Sequence, residues 1–164
     1  MITMNLLKEL LGKQIVFNST LHFLSFLATW EISERTIPLL TEYLAEINLS
    51  INNPKISSNL VELANTWKEL MPLDGQEYFQ ITEINGDTAY AEIHLHCPIR
   101  GTGKVDTCYE FMNYDRSLLK KVGGTLTVLE SQSNSGKNFC KLAIRLNGIG
   151  TDDLTPAHKK MVTS

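Results

Sequence analysis

No stretch of the chain approaches the roughly eighteen consecutive apolar residues that mark a membrane-crossing helix. No basic cluster exceeds the pairs Lys120-Lys121 and Lys159-Lys160, and 15 Lys and Arg stand against 18 Asp and Glu, for a net charge of −3 and a pI near 5.8. Nucleic acid is a poor partner for such a chain, because phosphate backbones are held by concentrated positive charge. Three cysteines, an odd number in 164 residues, are too few for a disulfide framework and fit reduced thiols. The opening MITMNLLKELLGK is a short amphipathic segment without a cleavage signal. Together these absences set the expectation of a soluble, cytoplasmic protein with no membrane span.

Familiar catalytic patterns are missing as well. No Ser/His/Asp set or pair of carboxylates can be placed together, which weighs against an enzyme. GTGK, Gly101 to Lys104, lacks the hydroxyl residue after the lysine and the glycine spacing of a phosphate loop, and reads better as a flexible strand-to-helix link.

What is present is enough apolar sequence for one core: 43% hydrophobic residues, with 20% charged. The period of the pattern divides the chain into a helical part, 1–72, a hairpin–helix–hairpin part, 76–147, and a tail, 148–164. In the first part Leu21, Leu24 and Trp30, with Phe23, Phe26 and Leu27, form one stripe, and Leu40, Tyr43, Leu44 and Ile47 form another. Pro38 places the start of the second helix about Thr36, since a first-turn proline has no intrahelical donor to lose. A third helix starts near Ser57 or Ser58, carries Leu60, Val61, Ala64, Trp67 and Met71, and ends before Pro72.

From Gln76 the period changes to two. EYFQITEI and TAYAEIHLHC flank Asn85-Gly86, a hairpin signal. A three-residue loop, Asn85-Gly86-Asp87, pairs Ile81 with Ala91 and Phe79 with Ile93, so that like faces match. Ala89, Ala91, Ile93, Leu95 and Cys97 then point to the core, and His94 and His96 away from it. A helix capped by Asp106 follows and runs to Gly123-Gly124, with Cys108, Phe111, Met112, Leu118, Leu119 and Val122 on its apolar stripe. Asp115 interrupts that stripe, as a carboxylate at the edge of a buried face. A second three-residue loop, Asn134-Ser135-Gly136, sets Glu130 opposite Cys140 on the apolar face. A carboxylate there needs a compensating charge, and two thiolates with a carboxylate suit zinc.

The runs CPIRGTGKVDTC, FMNYDRSLLKKVGG and LTVLESQSNSGKNFCKLAIRL resemble the 4-vinyl reductase domain over about residues 90 to 147. That small-molecule-binding domain shares its superfold with heme nitric-oxide sensors and TRAPP transport subunits. The resemblance implies a structural zinc site at Cys108, Glu130, Ser133 and Cys140, with serine standing where the family places a third cysteine. Cys97 or a histidine is left to complete the shell. Plainer readings stand beside these. Cys108 and Cys140 can be small buried hydrophobes, and Glu130 can reach water or pair with Lys141 or Arg145. Alternation separates His94 and His96 from Cys97, and Trp30, Trp67, Phe111 and Tyr114 can be ordinary core rather than pocket lining.

The expectation is therefore an α+β domain, with N-terminal helices packed on a four-stranded antiparallel sheet of two hairpins joined by a helix. It binds a small, largely apolar ligand as a sensor or carrier, near Trp67, Phe111, Tyr114 and Trp30, with zinc as the candidate cofactor and a homodimer as the expected assembly. The alternatives are a reductase or hydrolase using a Cys/His or metal site, and a TRAPP-like protein-interaction module.

Overall fold

Helices come first because the first part of the chain can bury only one face of each segment. The structure, a computed structural model, describes residues 14–28 and 33–159. Helix α1 is Gln14–Leu27, α2 is Ser33–Asn52 and α3 is Leu60–Glu69. Helix α1 turns Leu24 fully inward, with Phe17 and Leu21 beside it, while Phe23 and Phe26 stay exposed. The stripe is thus narrower than the sequence suggests. Helix α2 buries Ile37, Thr41, Ala45 and Ile51 and leaves Tyr43 outside. It begins at Ser33, earlier than Thr36, and carries Pro38 inside. The Pro38 carbonyl is tied to Asn113, whose Nδ2 donates to Pro38 O at 3.0 Å.

Helix α3 is fixed by reciprocal capping. Asn59 Oδ1 accepts from the Glu62 N–H at 2.9 Å, and Glu62 Oε2 accepts from the Ser58 N–H at 2.8 Å. Its inner face carries Leu63, Ala64 and Trp67, followed by Leu70 and Met71, and Val61 is exposed. A 3₁₀ turn, Leu73–Tyr78, leads into the sheet.

Four strands, β1 Phe79–Asn85, β2 Thr88–Ile93, β3 Gly124–Glu130 and β4 Cys140–Leu146, form an antiparallel sheet in the order β1-β2-β4-β3. The α+β class and the two hairpins agree with the expectation. The first hairpin has the expected pairs Phe79↔Ile93 and Ile81↔Ala91, reached by a different route. Asn85 pairs with Thr88, so the loop is Gly86-Asp87 alone, and a bulge at Thr82 shifts the register between Ile81 and Glu83. Gly86 supplies the positive φ, 55°, that this tight turn requires.

The expected single helix between the hairpins is two: α4 Val105–Phe111 and α5 Asn113–Lys121. Met112 is the joint, and its N–H reaches both Cys108 O and Glu110 O. Asp106 lies in the first turn rather than at the cap, a position held by Lys104 without a side-chain bond. The stripe itself is as expected: Cys108, Phe111, Met112, Leu118, Leu119 and Val122 are all buried. Gly123, at φ 100°, stops α5.

Helix α3 packs across β1, β2 and β4, and α5 packs on β3. Between them Trp67 meets Phe79 edge-on at 5.9 Å, and Phe79 meets Phe17 edge-on at 6.1 Å. From β4, Cys140, Leu142 and Ile144 face this core. Arg145 lies on the other side of the strand, where its guanidinium grips Asp153 through two bonds of 2.6 Å. No helix among the described residues is long and apolar enough to cross a membrane.

Candidate functional site

Helices α1 and α2 do not close fully onto the sheet. A cavity of 320 Å³ separates them from the ends of β1, β2 and β4 and from α4 and α5. That is at the small end of the roughly 300–1,000 Å³ typical of ligand pockets. Leu21 and Leu24 of α1, Leu44, Ile47 and Ile51 of α2, Phe79 and Ile93 of the sheet, and Phe111 and Met112 at the helix joint make its walls largely apolar. Tyr114 and Asp115, in the first turn of α5 just past the Met112 joint, also reach the cavity.

Of the aromatic residues expected at a pocket, Phe111 and Tyr114 line it. Trp67 stands behind the wall, fully buried, with its indole N–H donating to Asp115 Oδ1 at 2.9 Å. Trp30 lies outside the described residues. Asp115 is buried within the core rather than at its edge. Burial raises its carboxyl from the ordinary 3.8 to about 6, against the opposing pull of the Trp67 hydrogen bond and the Arg116 charge. Tyr114 is held by Asn48, whose Nδ2 donates to the phenol oxygen at 2.7 Å, and burial pushes the phenol pKa up.

Comparison with protein-family models, with curated proteins and with solved structures finds no match.

All three cysteines contribute to the cavity wall. Cys108 Sγ accepts from the Ser131 hydroxyl at 3.0 Å, and Cys140 Sγ accepts from the Gln132 N–H at 3.4 Å. Burial is the main cause that drives Cys108 up to about 11 and Cys140 up to about 12, and it raises Cys97 as well. The thiols are therefore neutral at pH 7 and act as weak donors at their end of the cavity.

Glu130 is not the cross-strand partner of Cys140. A bulge between Val128 and Glu130 shifts the register, Glu130 pairs with Lys141, and its carboxylate meets the Lys137 ammonium. Cys140 pairs instead with Ile93 on β2. The loop Asn134-Ser135-Gly136 does not close a tight hairpin either, because the β3–β4 ladder ends at Glu130 and Lys141. Ser133 is buried, with its N–H on Ser131 Oγ at 3.0 Å and its carbonyl accepting from Gly103 at 2.9 Å. His94 bonds Glu92 at 2.9 Å and His96 is exposed. The zinc donor set does not fit this arrangement, since structural zinc takes four good ligands. Among the described residues no group of three His, Cys, Asp or Glu side chains is placed to hold a metal ion.

Gln132, which sequence reasoning passed over, organises this end of the cavity. Its Oε1 accepts from Arg100 Nε at 2.7 Å and from the Cys97 N–H at 3.3 Å, and its Nε2 donates to Leu95 O at 2.8 Å and Ile93 O at 3.4 Å. Its carbonyl accepts from the Gly101 N–H at 2.9 Å. One amide thus pins the loop after β2 to the connection between β3 and β4 with every polar atom satisfied. In sequence it is one polar residue in a turn-like run, SQSNS, and its burial depends on a distant loop folding over it.

Proposed function

We propose that the protein is a binding domain for a small, largely apolar molecule, a sensor or carrier of the kind that the resemblance to 4-vinyl reductase domains implies. The observation that carries this reading is the 320 Å³ cavity between α1, α2 and the sheet, with aliphatic and aromatic walls and neutral thiols at one end. An apolar molecule gains there by leaving water, and no charged partner is needed to hold it. Isopropylbenzene, at a concentration well above its dissociation constant, is expected to raise the melting temperature by about 5–10 °C. Leu44→Trp puts an indole into the lumen and should abolish that shift. An unchanged melting temperature for the unmodified protein, or an equal rise in Leu44→Trp, refutes the reading.

The same proposal includes a homodimer. Phe23 and Phe26 on α1 and Leu39 and Tyr43 on α2 are each more than half exposed, and contact with a second copy of these helices takes them out of water. Light scattering at micromolar concentration should give twice 18.5 kDa; a mass of 18.5 kDa overturns the dimer.

A further inference from the structure

Among the hydroxyl and amide groups that line the cavity, one proton is left without a partner inside the protein, and that proton points to the chemistry of a ligand. Asn48 Nδ2 carries two protons and lies 2.9 Å from Leu70 O and 2.7 Å from the Tyr114 hydroxyl. A main-chain carbonyl only accepts, so the nitrogen rather than the oxygen of the amide must face Leu70. Asn52 Nδ2, donating to Asn48 Oδ1 at 2.9 Å, fixes the same orientation from the other side. Both Asn48 protons are therefore committed, and the Tyr114 oxygen is an acceptor in that bond. Its own proton must go elsewhere.

The other hydroxyl and amide groups that line the cavity have spent their protons inside the protein. Thr20 donates to Val16 O at 2.8 Å, Thr41 to Ile37 O at 2.8 Å, Asn52 to Asn48, and Gln132 to Leu95 O and Ile93 O. No acceptor for the Tyr114 proton stands among the described residues, although the ring is packed edge-on to Phe17 at 6.1 Å and lines the cavity. A buried donor left in an apolar site is costly, whereas one met by a ligand oxygen adds affinity and selects for that oxygen.

We infer that Tyr114 donates a hydrogen bond to the ligand, which is an uncharged molecule with an apolar body and one acceptor oxygen, such as a ketone, ester or ether. This inference rests on the binding reading above and adds the chemistry that the site selects. Asn48 is the positioning residue that turns the phenol proton into the lumen. The Cys97, Cys108 and Cys140 end takes the apolar body.

The test uses two molecules of nearly equal shape, acetophenone and α-methylstyrene, which differ by a carbonyl oxygen against a methylene. Titration calorimetry on the unmodified protein and on Tyr114→Phe gives four affinities. Loss of the hydroxyl should weaken acetophenone about five- to tenfold and leave α-methylstyrene within about twofold. Equal changes for both probes overturn the Tyr114 assignment while leaving the cavity as a binding site; binding of neither probe to the unmodified protein overturns the binding reading and this one with it. Because Tyr114→Phe also strands an Asn48 proton, the infrared carbonyl stretch of acetophenone bound to the unmodified protein provides an independent readout. A stretch lowered relative to hydrocarbon solvent is expected, and an unshifted one refutes the hydrogen bond.

Discussion

Replacing Asp115 by asparagine should make the protein more stable at neutral pH, and the gain should vanish in acid. Asp115 is 6% exposed, set among apolar core residues, and its Oδ1 takes the Trp67 indole proton at 2.9 Å. Burial raises its pKa from 3.8 to about 6. The native state therefore holds this proton more tightly than the unfolded chain does. As pH climbs from 3.8, the unfolded state releases the proton first and native stability falls; above 6 both states are ionised and the loss is complete. A shift of this size, at about 1.36 kcal/mol per unit, amounts to about 3 kcal/mol, a large share of the roughly 5–15 kcal/mol that domains possess. Asparagine keeps an acceptor for Trp67 and does not titrate. Urea denaturation of both proteins between pH 4 and 7.5 should show their stability curves diverging by about 2–3 kcal/mol across that window. Trp67→Phe, which removes the side-chain hydrogen bond that opposes the effect of burial, should carry the slope to still higher pH. Parallel curves for the unmodified protein and Asp115→Asn, or a carboxyl ¹³C resonance of Asp115 titrating near 3.8, would show that the reasoning about burial is wrong.

Three further outcomes are expected. Gln132→Ala should cost about 2–4 kcal/mol in chemical denaturation, because it strands Leu95 O and removes the acceptor of Arg100 Nε, and it should speed hydrogen exchange at the Cys97 amide; an unchanged midpoint refutes its role as a clasp. Gly124→Ala places a Cβ 2.5 Å from Leu63 Cδ2 and 3.0 Å from Arg145 O, and overpacking of this kind should lower stability by about 1–3 kcal/mol, with a neutral result counting against the close approach of α3 to β3. Cys108 and Cys140, with thiols raised to about 11 and about 12, should resist iodoacetamide at pH 8 in the folded protein and react on unfolding, as mass spectrometry would show; rapid labelling of either in the folded state contradicts their burial.

How much of this was legible in the sequence depends on how far each feature reaches along the chain. The two hairpins, the stop at Gly123 and the buried stripe from Cys108 to Val122 follow from local periodicity and turn chemistry, and all are present. Bulges are where local reasoning went astray. At Thr82 a bulge delivered the expected register through a shorter loop, and before Glu130 another one removed the carboxylate from Cys140 and set it opposite Lys141. A period-two pattern does not record an extra residue, since its cause is the twist of the assembled sheet. Phe23, Phe26 and Tyr43 look inward by apolar count alone, yet the width of the buried stripe is set by how many neighbours the fold supplies. Asp115 was visible as an interruption of the stripe. Its partner, Trp67, lies on another helix, beyond what spacing can show. The cavity is of the same kind: aromatic residues announced a large apolar surface, and only the packing of α1 and α2 shows which part of it remains uncovered.

The strand order β1-β2-β4-β3 also bears on how the chain folds. Each hairpin joins neighbours in sequence, so β1 with β2 and β3 with β4 can form early and separately. The seam between them pairs Ala89 with Ile144 and Ile93 with Cys140, which requires closing a loop that contains both α4 and α5. Loop closure must precede the contacts that reward it, and long-range strand pairing therefore sets the pace. Until the seam closes, β2 and β4 each present an unpaired edge, and the cavity has walls but no floor. Conditions that slow the joining of the hairpins, rather than those that weaken either one, are the conditions under which this chain is most exposed to association through its edges.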